Sequence, residues 1–426
     1  MLFERRRFTA RLKTLARASG RLQDLSAEQI VRAISDAAAR WREPGFPTRV
    51  RASTAGAART GYSEEMVAIA LDQLFLTLDE AALRSTIRSE LGSLEVLDGF
   101  VHRAGRPDAL ARAIGRVCII ASRTTIGVAL LPALYALCAK CDVVVKDRED
   151  ELVGEFFKTL AEEHPAFLSA ATTLTWNGAA AGRELSEDAD ALVVFGKNET
   201  LKTLREQTRP NARFIGYGSR ATVGYVCRES LTTHAEATEL ARRAARDVAL
   251  YESEGCLSLH VLFVESAGLI SPETFAASLA EAMEQFTVDF PPAVRGDATQ
   301  ARFDAHRRLS SFRCAMGKGS IFHDQGSTYC VVLDPPSDAP PAFLPRTIGV
   351  HCVESPSGAL AYLRRHALPL EGFAMSVQRE DVVTMAIEAG AVRLTSFGQL
   401  QSPVASANHG GRPRIAEFVR WIDKEL

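Results

Sequence analysis

The chain has 426 residues, which at roughly 100–200 per domain allows two to four domains and a large buried core. Its 50 Lys+Arg and 52 Asp+Glu leave a net charge of −2, too balanced for a general nucleic-acid binder, and no apolar run reaches the 18 or more residues of a membrane span. Eight irregularly spaced cysteines in so long a chain do not form a secreted disulfide framework, and no secretory signal pattern opens the sequence, so a cytoplasmic protein with reduced thiols is expected.

Residues 1–59 are locally basic, with 13 Lys+Arg against 5 Asp+Glu. Ser26-Ala27-Glu28-Gln29 is nonetheless a capping box that opens an apolar-periodic helix through Ile30, Val31 and Ile34, so this segment belongs to a fold rather than to a targeting peptide. Ser63 is set to cap a helix with Glu64 and Glu65 in its first turn, and Asp79 to cap a second that stops at Gly92. The texture changes after Arg116. Val117–Ala121, Asp142–Lys146 and Ala191–Phe195 are short, wholly apolar or nearly apolar runs, separated by helix-length stretches at Leu130–Cys141 and Leu152–Glu163. Strands buried on both faces read this way, and their alternation with helices predicts a parallel sheet built from βαβ units.

A second block begins near Arg228. Its pattern predicts helices over Ala235–Leu250, Pro272–Phe286, Pro356–His366 and Asp381–Ala389. Strands are expected at Leu257–Glu265, Tyr329–Asp334, Ile348–Val353, Phe373–Val377 and Ala391–Thr395, with a proline-rich connection at 335–345. The turn Asn408–Pro413 is expected to start a last helix, with Pro413 near its first position. The reading is an α/β protein with a first domain over 1–228, a second over 229–398 and a closing segment over 399–426.

Among the candidate chemical groups, Cys256 stands out. It lies between a long helix and a buried strand, preceded by Gly255, which has no Cβ to obstruct a turn or a substrate. A thiol at an element end beside unpaired N–H groups is where a nucleophile is placed, although a lone cysteine is also commonly a small core residue. Glu252 and Glu254 oppose thiolate formation if their charge is near. Cys138 and Cys141 form a C-x-x-C with no second pair to complete a zinc site, so thiol packing is the expectation and no metal is assigned. Gly196-Lys197-Asn198-Glu199-Thr200 is a strand end turning into a helix, where a phosphate can rest on unpaired N–H groups.

Together these pieces resemble the aldehyde dehydrogenase superfamily, and more narrowly the acyl-CoA reductases that supply fatty aldehyde to bacterial luciferase. The segment ARDVALYESEGCLSLHVLFVE, Ala245 to Glu265, is similar to the family's nucleophile segment. DVVVKDRED (Asp142–Asp150), ELGSLEVLDGF (Glu90–Phe100) and GGRPRIAEFVRWID (Gly410–Asp423) carry the likeness across the chain from about Tyr62. The resemblance implies a Rossmann-type cofactor domain with N-terminal helices and a second α/β domain carrying the nucleophile. It further implies that Cys256 is that nucleophile, that Lys146 binds the adenosine ribose with Glu149 beside its hydroxyls, and that Gly196, Lys197 and Thr200 lie near the pyrophosphate. NADPH is favoured by likeness to the reductases, with NADH open: Glu149 would repel a 2′-phosphate, whereas Arg148 could receive one.

The departures from the superfamily pattern are specific. The stretch matching the motif that carries the water-activating glutamate is Gly216-Tyr217-Gly218-Ser219-Arg220, with no carboxylate, and the later glutamate near the nicotinamide ribose falls at about Arg346. Without a general base, worth about 10²–10⁴-fold, hydrolysis to a free acid should be slow. The oxyanion asparagine is replaced in Ser122-Arg123-Thr124-Thr125, leaving Arg123 or Thr124 as a donor, or Arg123 as an ion-paired structural residue. The expected activity is NAD(P)H-dependent reduction of an acyl thioester, on CoA or a carrier protein, to an aldehyde through a cysteine-bound acyl group. Another activated acyl donor or an aldehyde as substrate, or a catalytically silent binding protein, are the alternatives. Relatives are commonly dimers or tetramers, so a homo-oligomer is possible on this resemblance.

Overall fold

The structure is a computed structural model and describes residues 21–122, 125–146, 152–174, 185–335 and 340–426. The chain divides into two compact units. The first is made of residues up to Arg59, Val67–Gly218 and Val404–Leu426; the second of Thr60–Met66 and Ser219–Pro403.

In the first unit the helical start follows from its caps. Ser26 and Gln29 close the capping box at the start of Ala27–Arg42, and Asp79 accepts from the Ala82 N–H at the start of Glu80–Leu91, which Gly92 ends at φ 89°. Trp41 is fully buried against Phe75 and Phe156, with ring centroids 5.1 and 5.8 Å away, and its indole N–H donates to Thr159 Oγ1 at 3.0 Å. Two strands, β1 (Val101–Arg103) and β2 (Arg106–Ala113), form an antiparallel pair. Then come β3 (Arg116–Ile120), β4 (Asp142–Lys146), β5 (Ala171–Leu174), β6 (Ala191–Phe195) and β7 (Arg213–Tyr217). These five are parallel and ordered β5-β4-β3-β6-β7. The chain winds outward from β3 in one direction, then resumes on β3's other side with β6, so the topological switch lies between β3 and β6.

The second unit holds β8 (Ala221–Val226), β9 (Leu259–Glu265), β10 (Ser320–Phe322), β11 (Cys330–Asp334), β12 (Thr347–Val353), β13 (Leu370–Met375) and β14 (Arg393–Ser396), ordered β10-β11-β12-β9-β8-β13-β14. All neighbours are parallel except β10 with β11. The central strands β8, β9 and β13 are buried along their whole length, as sequences that are mostly apolar require, with Thr222, His260 and Glu371 as polar members. One exception to that apolarity is Glu265 at the end of β9, with none of its side chain exposed. It accepts from Tyr225 Oη at 2.7 Å, the Arg228 N–H at 3.0 Å, Arg228 Nε at 3.1 Å and both Arg379 Nη atoms.

The closing segment departs from expectation. Pro413 does not start a helix. A single 3₁₀ turn, Ala416–Phe418, leads into β15 (Val419–Lys424), which pairs antiparallel with β2. Residues 306–316 positions earlier in the chain supply the partner strand, so no local signal reveals the pairing. The long helix Asp297–Ala315 also escapes a periodicity reading, because among its residues only Phe303 and Ser310 are buried and there is no apolar stripe. No helix among the described residues is long and apolar enough to cross a membrane.

Glu265 yields a pH prediction. Burial alone would raise its pKa, but the hydrogen bonds from Arg379, Tyr225 and Arg228 prevail and bring it down from 4.5 to about 2. A depressed carboxylate contributes stability that is complete above its unfolded value and lost as pH falls through the folded one, here between about 4.5 and about 2. Glu265→Gln is therefore expected to cost on the order of 2–3 kcal/mol near neutrality and to flatten the acid limb of urea-unfolding free energy against pH. An unchanged acid limb in the variant would refute the assignment.

Candidate active site

The chain approaching Cys256 is built in three steps. First, the helix His234–Ala249, capped by Thr233 through the Glu236 N–H, delivers the chain to one end of the second sheet. Second, the helix does not unwind into an ordinary loop. Tyr251, Glu252 and Ser253 take φ of 57°, 54° and 57°, three consecutive non-glycine residues in the left-handed region. Each such residue costs roughly 1–2 kcal/mol, so the turn persists only where its surroundings over-determine it. Third, Gly255, Cys256 and Leu257 lead into Ser258 and β9. A Cβ built on Gly255 would lie 3.2 Å from Ser258 Oγ, a tight contact that favours the glycine.

What holds the turn is Arg346, itself left-handed at φ 47° and with no exposed surface. Its Nε donates to both oxygens of Glu252 at 2.9 and 3.1 Å and its Nη2 to Oε1 at 2.6 Å. The remaining donors reach Thr287 Oγ1 at 3.2 Å and the Phe290 carbonyl at 2.8 Å. The Arg346 main-chain N–H donates to Ser253 Oγ at 3.0 Å, and that hydroxyl donates to the Val248 carbonyl at 2.6 Å, tying the turn back to the helix end. Tyr62 Oη adds a bond to the Tyr251 carbonyl at 3.2 Å. Arg346, the position matched to a superfamily glutamate near the nicotinamide ribose, is thus a structural cation here.

Cys256 is exposed, unlike the buried Cys118, Cys138, Cys141, Cys227 and Cys330. Protein packed around its sulfur raises the thiol pKa, and the Glu371 carboxylate adds to the lift; the Cys256 N–H, the Arg220 guanidinium and the Leu257 N–H act the other way. Burial takes this thiol up to about 12, as it does the enclosed Cys138. The nearby carboxylate that matters is Glu371. Glu252 is committed to Arg346, and Glu254 does not figure among the charges acting on the thiol. Glu371 has no local sequence signal, being a polar residue at the start of a strand 115 positions after Cys256.

The other expected residues belong to the first unit. Lys146 is the last residue of β4 and is partly buried. Gly196 directly follows β6, Lys197 is the N-cap of the helix Asn198–Gln207 without a side-chain capping bond, and Thr200 lies exposed in its first turn. These three therefore sit at the carboxyl end of a strand bordering the switch point, where open α/β sheets take their ligands. The glycines that matter sterically are Gly216 and Gly218 rather than Gly196. A Cβ on Gly218 would fall 2.4 Å from Asn198 Oδ1, and one on Gly216 would fall 2.9 Å from Leu201 Cδ2, so both keep the first turn of that helix close to β7. A Cβ on Gly196 would make only ordinary contacts. Arg123, Thr124, Arg148 and Glu149 lie outside the described residues. Cys138 and Cys141 are buried, and among the described residues no group of three or more His, Cys, Asp or Glu could hold a metal ion. A cavity bordered by Tyr135, Tyr217, His409 and Arg414 has room for about one water and includes none of the expected site residues.

The Arg346–Glu252 pair should behave as a buried ion pair whose loss strands a charge. Arg346→Met is expected to cost about 3–5 kcal/mol in urea denaturation, and adding Glu252→Leu to recover a substantial part of it. A loss under about 1 kcal/mol for the single variant would show that the turn holds itself.

Comparison with proteins of known structure finds aldehyde dehydrogenases. A benzaldehyde dehydrogenase from Corynebacterium glutamicum superposes with a TM-score of 0.70 at 15% identity, covering 98% of this chain and 89% of that one. A 1-pyrroline-5-carboxylate dehydrogenase from Thermus thermophilus gives 0.69 at 12% identity over 98% and 85%. Betaine aldehyde dehydrogenase from Staphylococcus aureus gives 0.69 at 12% over 94% and 83%. The fold is that of the aldehyde dehydrogenases. No curated protein sequence matches the chain. The acyl-CoA reductase (LuxC) family matches residues 22–421. The chain belongs to that family, and is an oxidoreductase that reduces an acyl group to an aldehyde.

Proposed function

We propose that Cys256 carries the acyl group, and that the exposed thiol on an over-determined turn is the observation that supports this. The sulfur loses its proton and bonds to the carbonyl carbon of an acyl thioester, whose carbonyl electron pair moves onto oxygen. The N–H groups of Cys256 and Leu257, already directed at negative charge on the sulfur, are the donors available beside that oxygen. Collapse of the adduct breaks the carbon–sulfur bond to the carrier, which departs as a thiolate and takes up a proton. A thiolate is a tolerable leaving group, so no strong acid is required. Arg123 and Thr124 are proposed as further oxyanion donors, as expected from their place in the sequence.

The residues of the first unit suit a reduced nicotinamide. The N-terminus of Asn198–Gln207 offers main-chain N–H groups to a pyrophosphate, and Gly218 leaves no Cβ against Asn198. Lys146, at the end of β4, supplies a cation for the ribose end, with Glu149 proposed at its hydroxyls. The benzaldehyde dehydrogenase is described as NAD-dependent, and a Thermus 1-pyrroline-5-carboxylate dehydrogenase has been solved with NAD bound. When bound, the cofactor, which we propose to be NADPH, supplies the hydride that takes the acyl group to the aldehyde level. Residues 216–220 contain no carboxylate to activate water, so the thioester on Cys256 is protected from hydrolysis and aldehyde rather than acid is the product.

Mixing acyl-CoA, enzyme and NADPH is expected to oxidise the cofactor with one aldehyde formed per turnover. Cys256→Ala should abolish turnover while leaving cofactor binding, followed by fluorescence titration, intact. Undiminished turnover in that variant, or free acid as the main product, would overturn the reading. Tighter binding of NADH than of NADPH would overturn the choice of cofactor alone.

A further inference from the structure

Strands β13, β8 and β9 lie side by side and run parallel, so their amino ends meet at one edge of the sheet. Arg220 directly precedes β8, Glu371 is the second residue of β13, and Cys256 stands three residues before β9. The ladder is irregular there on both sides of one residue. Leu370 and Phe373 of β13 face Ala221 and Val223 of β8, so one extra residue is inserted at Glu371–Gly372. On the other side Thr222 and Val223 face Leu259 and Val261, inserting His260. Thr222, fully buried, therefore has a bulge on each flank. Its hydroxyl accepts from the Gly372 N–H at 3.2 Å and donates to the Cys256 carbonyl at 2.9 Å. A Cβ on Gly372 would lie 3.0 Å from that hydroxyl. Bulges redirect side chains and recur beside active sites. Here they leave Glu371 buried in the sheet edge, its carboxylate 3.4 Å from Arg220 Nε, while Arg220 Nη1 reaches the Leu370 carbonyl at 3.3 Å.

We propose that Thr222, Glu371 and Arg220 form a positioning cluster for Cys256, in which Thr222 pins the residue's main chain and the two opposed charges set the field at its sulfur. The inference rests on Cys256 being the nucleophile. The other charged or titratable groups around the turn do not supply that field. Glu252 is neutralised by Arg346, Glu254 is an exposed residue whose carboxyl is pushed up by burial and by the Glu252 charge, and His260, which burial lowers to about 4, is uncharged at neutral pH. Asp247, on the preceding helix, is engaged by the Gly398 and Leu400 N–H groups. Gln401, which donates to Ser258 Oγ at 3.0 Å, carries no charge. The charges of Glu371 and Arg220 act on the thiol in opposite directions. Burial holds the resting sulfur as the thiol, and Glu371, acting more strongly than Arg220, adds to that hold and keeps the sulfur from oxidants.

The test is the pH profile of iodoacetamide alkylation at Cys256 in the full chain, read site by site by mass spectrometry. Glu371→Gln is expected to move the midpoint to lower pH and to raise the rate at neutral pH by about three- to tenfold, and Arg220→Gln to move it to higher pH. Thr222→Val should lower the limiting rate at high pH without moving the midpoint, and Thr222→Ser should restore it. Glu371→Asp, which keeps the charge, should hold the wild-type midpoint and serves where the glutamine variant does not fold. Midpoints that stay fixed in both Glu371→Gln and Arg220→Gln, or a shifted midpoint in Glu371→Asp equal to that of Arg220→Gln, would overturn the proposal. The readout needs no turnover. Reductase activity surviving in Cys256→Ala would instead defeat the nucleophile assignment while leaving these profiles as measured.

Discussion

The buried contact between Arg346 and Glu252 is the constraint on which the Cys256 segment depends. Three left-handed residues in sequence are unfavourable by several kcal/mol together, on the order of 3–6 from the per-residue cost. Nothing in the tripeptide Tyr251-Glu252-Ser253 repays that locally. The compensation comes from a cation 94 residues away whose side-chain donors reach Glu252, Thr287 and Phe290, and whose main-chain N–H anchors Ser253 as well. A buried ion pair of this kind is weak as a source of net stability but strong as a specifier, because every alternative arrangement leaves a charge unpaired. The strain is therefore consistent with a fixed presentation of Cys256 rather than with a flexible loop.

That dependence explains which parts of the molecule can be read from the sequence. Strands buried on both faces, such as Asp142–Lys146 and Ala191–Phe195, coincide with their apolar runs residue for residue, and the capped helices begin where Ser26 and Asp79 say they should. These features are written in adjacent residues. The antiparallel pair of β2 and β15 is not, because its two strands lie over three hundred positions apart and β15 shows the sheet only part of one face. Its mixture of Val, Trp and Ile with charged residues is equally compatible with the helix expected after Pro413. Strand β8 is hidden for a different reason: Ala221-Thr222-Val223-Gly224 is too small and too polar to stand out, although Gly224 is required because a Cβ there would lie 2.6 Å from the Phe397 ring.

The site divides along the same line. Cys256 and the Gly196–Thr200 turn are legible because each is a local junction between a strand and a helix. Glu371, Arg220 and Thr222 are not, since they converge only when β8 lies between β13 and β9 and a bulge resets the register on each side of it. Conversely, the glutamates nearest to Cys256 in sequence are the ones the fold takes out of play. Sequence proximity is a poor guide to the field at a sulfur when the main chain reverses direction three residues earlier.

The location of Cys256 at the amino edge of a parallel sheet has an electrostatic consequence. Helices that return between parallel strands end at that edge, so their carbonyl termini, the negative ends of their dipoles, gather there. Cys256 follows the carboxyl end of the sixteen-residue helix His234–Ala249, the opposite of the helix N-termini that lower cysteine pKa values in other folds. The Gly196–Thr200 turn occupies the contrasting position, at the carboxyl edge of the other sheet, where helix N-termini gather and an anion is welcome. The two sheets thus carry opposite electrostatic edges, one at Cys256 and the other at the Gly196–Thr200 turn. An edge that disfavours negative charge keeps a thiol protonated until a carbonyl carbon is at hand to take its electrons. On the proposed role of Cys256, acylation then removes the charge problem altogether, because a thioester is neutral.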